Sequence, residues 1–423
     1  MPTPTVYPGP HNIHRHQFAN GLTLLVYENH SVPVAVVEGI LRAGSVTDVR
    51  AQAGLSNLAT MMLTRGTKRY SFKQLYELLE TMNASLYMSS ELHFTSFGTS
   101  GLREDLPTLL DLLADCIQQP VFPQPQFERL KTQTLTGLKM RDNDTRAQAS
   151  LAFYDEMYGE HPYAQSVLGY PHSLADIGVA DLQSYYDRFY GPEGMIIVVV
   201  GDVTEGQVYD LVAEKFGRWA RAGQEAMPAM PPAPMPVGHQ RVHVPMPHKS
   251  QTDVLLGLPV IPRQHSDYLL LSVMNTILGV FGMMGRLGQN VREEQGLAYY
   301  IESNLEGDFG PLPWSVSTGV APENVEKTIE TVLVEIDKMQ NSLVPDWELA
   351  DTVAYRMGGL PVSLETNYGL AANILNLEMF DLGLDYFQKY RTVLSAISPE
   401  QVQMIAQKYL STENLVIASA GPE

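Results

Sequence analysis

The amino-acid sequence predicts an α+β fold made of two duplicated halves, each an α/β sandwich in which helices cover a mainly antiparallel sheet. The leading observation is an internal repeat. The helix-then-strand pattern of 182–202 reappears at 402–422, an offset of 220 residues that aligns Gly201 with Gly421. The same offset aligns the segment beginning at Pro125 with a second proline-led segment in the C-terminal half. Two agreements at one offset indicate that one α+β unit has been duplicated.

A proline-rich segment between the repeats predicts a connector. Seven of the twenty residues from Pro228 to Pro247 are proline, a composition typical of an extended, semi-rigid spacer. The predicted organisation is therefore an N-terminal half at 1–222, a connector at 223–248 and a C-terminal half at 249–423.

The patterns of the N-terminal half fit this fold in order. Asn20-Gly21 is a hairpin signal inside a strand pattern, and Ser71 followed by Gln74 is a capping box before an amphipathic helix. Continuous Val and Ile content predicts buried strands. The predicted strands lie at 18–27, at 32–41, within 84–101 and from residue 195, and the predicted helices lie at 71–82, 106–117, 126–140 and 181–189.

Composition excludes several classes of protein. The formal net charge of -19 argues against binding nucleic acid or an anionic membrane surface. No apolar run approaches the length of a membrane span, and the N-terminus lacks the apolar core of a signal peptide. These features predict a cytoplasmic protein, or a periplasmic one if a signal peptide was removed. The single cysteine, Cys116, allows no internal disulfide, and its apolar helical spacing predicts core packing.

The stretch 282–301, GMMGRLGQNVREEQGLAYYI, contains a candidate binding pair. Apolar spacing predicts a short helix that begins near Met284, Gly296 is a helix stop, and LAYYI is a strand. Arg292 would then lie on the last helical turn and Tyr299 early in the strand. A guanidinium and a phenol side by side could hold peptide carbonyls. Taken alone, this spacing is more typical of a solvated helix end and a half-buried aromatic.

The same stretch resembles the segment G-M-S-S-R-L-F-Q-E-V-R-E-x-x-G-L-A-Y in the C-terminal half of pitrilysin/insulinase-type zinc peptidases. This family includes bacterial members similar to the mitochondrial processing peptidase. The resemblance covers nearly the whole chain, because HPYAQSVLGYPHSLADI and DLQSYYDRFYGPEGMIIVVVGDV also follow family patterns. It implies that Arg292 and Tyr299 hold the backbone of a substrate peptide.

The catalytic signature of that family, G-x-A-H-x-x-E-H-M-x-F-x-G-T, is degenerate here. Its frame survives as GLSNLATMMLTRGT, but Asn57 stands at the first His position, Thr60 at the Glu position and Met61 at the second His position. The third ligand, a Glu, would fall at Thr136 or Gly137, which supply no carboxylate. Zinc requires nitrogen, sulfur or carboxylate donors. No metal or other cofactor is therefore expected in this chain.

These observations favour a non-catalytic, peptide-binding subunit of a heterodimeric zinc peptidase. The partner would be a homologous chain that carries both the HxxEH motif and the zinc, and the isolated chain could pair with itself. One alternative is a structural or assembly protein that keeps a peptidase-derived fold. The other is a stand-alone peptidase with unusual ligands. Each is distinguished by metal content and by peptidase activity alone and in mixture.

Overall fold

A computed structural model of the chain describes residues 7–280 and 285–422. The chain forms two compact units, and each unit is assembled from three separate stretches of sequence. Unit 1 contains Met1–Thr136, Ser166–Ala229 and Leu360–Arg391, and unit 2 contains Gly137–Gln165, Met230–Gly359 and Thr392–Glu423.

Unit 1 is built on a six-stranded sheet in the order β1-β2-β6-β3-β5-β4. The strands are β1 (His14–Gln17), β2 (Thr23–Glu28), β3 (Val34–Leu41), β4 (Ser85–Ser90), β5 (Thr95–Leu102) and β6 (Ile196–Gly201). β2 and β6 pair in parallel, and the other neighbouring strands pair antiparallel. The predicted turn at Asn20-Gly21 joins β1 to β2, and Gly21 has a φ of +91°, so only the second part of the strand predicted at 18–27 is a strand.

The α-helices between residues 55 and 215 are α1 (Leu55–Met62), α2 (Phe72–Thr81), α3 (Leu106–Gln118), α4 (Gln124–Arg141), α5 (Thr145–Tyr158), α6 (Pro171–Ala175), α7 (Val179–Phe189) and α8 (Glu205–Lys215). The helices predicted at 71–82, 106–117, 126–140 and 181–189 are present among them as α2, α3, α4 and α7. The predicted capping box of Ser71 and Gln74 opens α2. Cys116 is buried in an apolar cluster between α2 and α3, and burial raises the pKa of its thiol to about 12. This cysteine is a packing residue.

Unit 2 has a five-stranded sheet in the order β7-β11-β8-β10-β9. Its strands are β7 (His239–Pro245), β8 (Thr252–Pro259), β9 (Ala298–Leu305), β10 (Pro313–Val320) and β11 (Leu415–Gly421). The remaining helices are α9 (Tyr268–Asn275), α10 (Val325–Asn341), α11 (Asp346–Ser363), α12 (Asn367–Met379), α13 (Tyr386–Ser395) and α14 (Pro399–Tyr409). No described helix of the chain is both long enough and apolar enough to cross a membrane.

The two sheets carry the same strand order once the extra edge strand β1 is set aside. β2, β6, β3, β5 and β4 correspond to β7, β11, β8, β10 and β9, and an offset of 220 places α7 on α14. The repeat also exchanges a helix. α5 packs on β8 and β11 of unit 2, whereas α12 packs on β3 and β6 of unit 1. The sequence pattern contains no sign of this exchange.

The connector is shorter than the sequence predicts. Residues 223–248 were all assigned to it, but 239–245 form the edge strand β7, which pairs in parallel with β11. Exposed and half-buried residues alternate along the whole strand, as a sheet edge requires. Flanking prolines obscured this alternation in the sequence. Pro245 is tolerated because it ends an edge strand.

Candidate functional site

Arg292 lies in a π-helical segment, Gly288–Glu294, rather than in an ordinary α-helical turn. Its predicted beginning, at Gly282 to Met284, lies outside the described residues. The segment ends as predicted at Gly296, which has a φ of +61°, and the Leu297 N–H donates to the Val291 carbonyl at 2.9 Å. π-Helical turns are rare and occur often at functional sites.

Tyr299 is the extra residue of a β-bulge on the edge strand β9. In the register with β10, Tyr300 faces Gly319 and Ala298 faces Val320, so Tyr299 has no counterpart. A bulge redirects a side chain and twists the strand locally. The Tyr299 side chain accordingly stands in solvent, with an exposed fraction of 82%.

The two candidate residues lie side by side. The guanidinium carbon of Arg292 is 5.9 Å from the centroid of the Tyr299 ring, within the range of a cation–π contact. Its nitrogen Nε is 3.6 Å from the carboxylate of Glu293, a neighbour that is itself half in solvent. The guanidinium therefore keeps most of its donors available for an incoming carbonyl or carboxylate.

The backbone that carries Arg292 is anchored to α10 and α11. Val291 is fully buried, and the Asn290 amide donates to Glu335 of α10 at 2.7 Å. Arg286 donates twice to Glu348 of α11, at 2.9 and 2.7 Å, in a half-buried fork. These contacts fix the base of the Arg292 side chain while its end remains exposed.

The positions of the family motif lie on α1, where Asn57 and Thr60 are buried and Met61 is half-buried. Thr60 is fully buried, and its hydroxyl is 2.7 Å from the hydroxyl of Tyr190 and 3.2 Å from that of Thr95. The Thr95 and Tyr190 hydroxyls are 3.1 Å apart, which closes a triangle of hydroxyl groups. Burial raises the pKa of Tyr190 to about 12. A neutral hydrogen-bonded cluster therefore replaces the general base.

A buried carboxylate holds the beginning of α1. Gly54, with a φ of +94°, precedes the helix, and its N–H donates to Asp48 at 3.0 Å. Ser56 donates to the same carboxylate from its backbone at 3.1 Å and from its hydroxyl at 2.9 Å. Burial raises the pKa of Asp48 to about 7, although these hydrogen bonds oppose the increase. Asp48 thus stabilises the beginning of α1, the helix that would carry the zinc ligands, although the ligands themselves are absent.

The donors at these positions do not fit zinc. Asn57 is buried, and its Nδ2 has no hydrogen-bond partner in the described structure. Met61 and Thr60 offer a thioether and a hydroxyl, neither of which is a usual zinc ligand. Thr136 bonds back to the Thr132 carbonyl at 2.9 Å, and Gly137 has no side chain. Across 7–280 and 285–422, no group of three His, Cys, Asp or Glu side chains is arranged to hold a metal.

Comparison with known proteins matches both halves of the chain to models of one family. Residues 24–170 match the model of insulinase, peptidase family M16, and residues 176–355 match the model of the peptidase M16 inactive domain. The chain belongs to peptidase family M16. The family assignment implied by the sequence motifs is therefore confirmed, as is the α+β fold of two helix-covered sheets.

Individual M16 relatives are distant but match over most of their length. An uncharacterized zinc protease of Mycobacterium tuberculosis is 26% identical over 390 residues, which cover 90% of this chain and 86% of the relative. A protein of Helicobacter pylori called a non-peptidase homolog is 24% identical, with coverage of 92% and 90%. The crystal structure of a peptidase M16 inactive domain from Pseudomonas fluorescens superposes with a TM-score of 0.91 at 25% identity, covering 97% of this chain and 98% of that one.

Proposed function

We propose that this chain is the non-catalytic, peptide-binding subunit of a heterodimeric zinc metallopeptidase, in which it orients substrate for the zinc site of a homologous HxxEH-bearing partner. The observation that carries the proposal is the exposed Arg292–Tyr299 pair in a chain whose residues at the zinc-ligand positions do not fit the metal. Folding alone does not require an exposed guanidinium at the end of a π-helical segment beside an exposed phenol on a bulged edge strand.

The chemistry of the pair suits an extended peptide backbone. The planar guanidinium of Arg292 presents a fork of N–H donors that can engage carbonyl oxygens from two directions. Tyr299 adds one hydroxyl that donates to a carbonyl or accepts from an N–H. A hydrogen bond from a charged donor contributes about 1.5–3 kcal/mol, so one such contact changes substrate affinity by about tenfold or more.

The role of this chain would be positional. Its partner supplies the zinc-activated water, while Arg292 and Tyr299 hold the peptide so that the scissile bond faces that centre. Holding reactants in register is a large source of catalytic rate when the geometry is accurate. We expect the peptide to extend a sheet edge in the catalytic half of the partner, where main-chain hydrogen bonds supply affinity.

The test is reconstitution with a zinc-motif M16 chain encoded beside this one. Zinc content and peptide hydrolysis are measured for each chain alone and for the mixture. We expect the mixture to be active, and we expect Arg292→Ala to lower its kcat/KM about tenfold or more. Arg241→Ala is the matched control, because Arg241 is also a half-exposed arginine in unit 2 and forms an ion pair with Glu326.

Other outcomes would point elsewhere. Full activity of a mixture that contains Arg292→Ala would overturn the proposed grip. A stable complex with no peptide affinity would favour an assembly role for the chain. Stoichiometric zinc in this chain alone, with turnover that a chelator abolishes, would make it a peptidase in its own right.

A further inference from the structure

Each sheet carries the same cross-strand row of a carboxylate, a glycine and a tyrosine. In unit 1, Glu38 on β3 faces Gly98 on β5, and Gly98 faces Tyr87 on β4. The Tyr87 hydroxyl crosses the glycine to donate to the Glu38 carboxylate. A Cβ on Gly98 would lie 2.5 Å from atoms of both side chains, so the glycine makes this contact possible.

Unit 2 repeats the row at equivalent positions of its sheet. Asp253 on β8 faces Gly319 on β10, and Gly319 faces Tyr300 on β9. The Tyr300 hydroxyl donates to Asp253 at 2.5 Å. A Cβ on Gly319 would lie 2.6 Å from the Tyr300 ring. The row borders a cleft of about 570 Å³ between the sheet and α5.

The row of unit 2 holds a cation that the chain itself supplies. Arg146, the second residue of α5, places its guanidinium carbon 4.8 Å from the centroid of the Tyr300 ring. The same guanidinium donates to the carboxylate of Glu302 on β9. A cation over the face of a tyrosine, paired with a carboxylate, is a complete cation–π site.

The row of unit 1 has the carboxylate, the glycine and the tyrosine, but it has neither the cation nor a counterpart of Glu302. Tyr368, the second residue of α12, takes the place that Arg146 has in α5, and it interacts with the Tyr87 hydroxyl. Ser89 takes the place of Glu302, two residues beyond the tyrosine of the row, and its hydroxyl donates to Glu91 at 3.0 Å. Tyr87, which donates to Glu38, and Tyr368, which interacts with Tyr87, are both partly exposed.

The group that contacts the Glu38 carboxylate in unit 1 is the neutral Tyr87 hydroxyl rather than a cation. Glu38 is buried with an exposed fraction of 5%, and burial raises its pKa to about 7 against the opposing hydrogen bond from Tyr87. A carboxylate in this state gains more than a solvated one from a nearby cation, because little water screens the pair.

We propose that Tyr87, Tyr368 and Glu38 form a binding site for a guanidinium or ammonium cation that comes from outside the chain. In unit 2 a guanidinium, that of Arg146, already lies against the tyrosine of the equivalent row. The net charge of -19 would draw cations toward the chain at long range. The site lies in unit 1 and needs no partner chain, so its test is independent of the test of the proposed function.

The direct test is titration of the purified chain with N-acetyl-arginine amide, followed by isothermal titration calorimetry. The neutral N-acetyl-citrulline amide, which has nearly the same shape, is the control ligand. We expect saturable binding at one site and at least tenfold weaker binding of the citrulline compound. Equal binding of the two compounds, or no binding of either, would overturn the proposal.

Two variants locate the site through the repeat. Tyr368→Arg gives unit 1 a built-in guanidinium, so the binding of N-acetyl-arginine amide should become at least tenfold weaker. Arg146→Ala empties the counterpart in unit 2, so it should raise the stoichiometry from one to two. Both positions are exposed on helices, which keeps the fold intact, and thermal unfolding checks this. Wild-type binding by Tyr368→Arg would contradict the assignment.

A second binding experiment distinguishes a peptide side chain from a small free cation as the ligand. A ten-residue Gly-Ser peptide with one central arginine is compared with the arginine amide. Binding more than tenfold tighter by the peptide would support the site and identify a peptide side chain as its ligand. Equal affinity would also support the site and identify a small free cation.

Discussion

The ring of Tyr299 lies 5.9 Å from the guanidinium carbon of Arg292, and Tyr299 is the bulged residue of an edge strand. The π-helical segment and the bulge are both departures from regular structure, and each carries one member of the pair. Irregularities of this kind persist where the surrounding structure supports them, as the burial of Val291 and the Arg286–Glu348 fork do here.

The first prediction distinguishes the fork of Arg292 from its charge. Arg292→Lys keeps the positive charge but loses the planar pair of donors. We expect kcat/KM of the reconstituted enzyme to fall nearly as far as for Arg292→Ala, about tenfold. Steady-state peptide hydrolysis measures this, with Arg241→Lys as the control. Wild-type activity of Arg292→Lys would mean that charge alone attracts the substrate.

The second prediction concerns the hydroxyl cluster that replaces the general base. Thr60→Val keeps the shape of the residue but leaves the Tyr190 and Thr95 hydroxyls with one partner fewer. We expect a loss of about 1–3 kcal/mol in the free energy of unfolding, measured by urea denaturation. Thr136→Val is the control, because Thr136 is exposed on α4. Equal effects of the two changes would show that the cluster contributes nothing.

The third prediction tests the glycine of the unit 1 row. In Gly98→Ala the new methyl group would meet Glu38 and Tyr87 at 2.5 Å, so the row must shift. Overpacking of this kind costs about 1–3 kcal/mol of unfolding free energy. Gly137→Ala is the opposite case, because its Cβ meets nothing within 4 Å. There we expect a gain of about 0.5–1 kcal/mol from helix propensity. A neutral Gly98→Ala would contradict the described contact.

The fourth prediction follows from the pKa of Glu38. Burial raises this pKa from 4.5 to about 7. The Glu38 carboxyl group therefore keeps its proton to a higher pH in the folded chain than in the unfolded chain. The resulting stabilisation is complete below the unfolded pKa and is lost as the pH rises through about 7. Asp48 acts in the same direction, since burial also raises its pKa to about 7.

We therefore expect the free energy of unfolding to decrease between about pH 5 and pH 8. Each of these groups can contribute up to about 1.4 kcal/mol per pH unit over the range that separates its two pKa values. Glu38→Gln should make the decrease shallower, as measured by urea denaturation across the pH series. A variant that follows the wild-type curve would show that Glu38 titrates normally in the folded chain.

Local patterns predicted several elements of the fold, because capping boxes, apolar periodicity and glycine stops act within a few residues. They placed α2, the turn at Gly296 and the strand that carries Tyr299. The bulge was not predictable, because it depends on the register with β10 rather than on the β9 sequence alone. The glycines in β5 and β10 were the one available signal for the carboxylate–tyrosine rows, since glycine inside a strand indicates a close approach.

The edge strand β7 and the exchanged helices were missed for a different reason. Both depend on pairing between segments far apart in the chain, and apolar faces in the sequence do not identify their partners. The family resemblance supplied what local patterns could not, namely that Asn57, Thr60 and Met61 stand where zinc ligands would be. The role of Arg292 and Tyr299 stays a prediction until the reconstitution is done.

The exchange of α5 and α12 bears on whether either half of the chain could fold alone. A half of the chain on its own would lack the helix that covers its sheet. In unit 1 the apolar face of the sheet is covered by Leu370, Ala371 and Ile374 of α12. Such a half would need a second half that supplies the missing helix in exchange for its own. Cutting the chain at the connector would separate each sheet from the helix that covers it, so we expect two fragments that fold together and not apart.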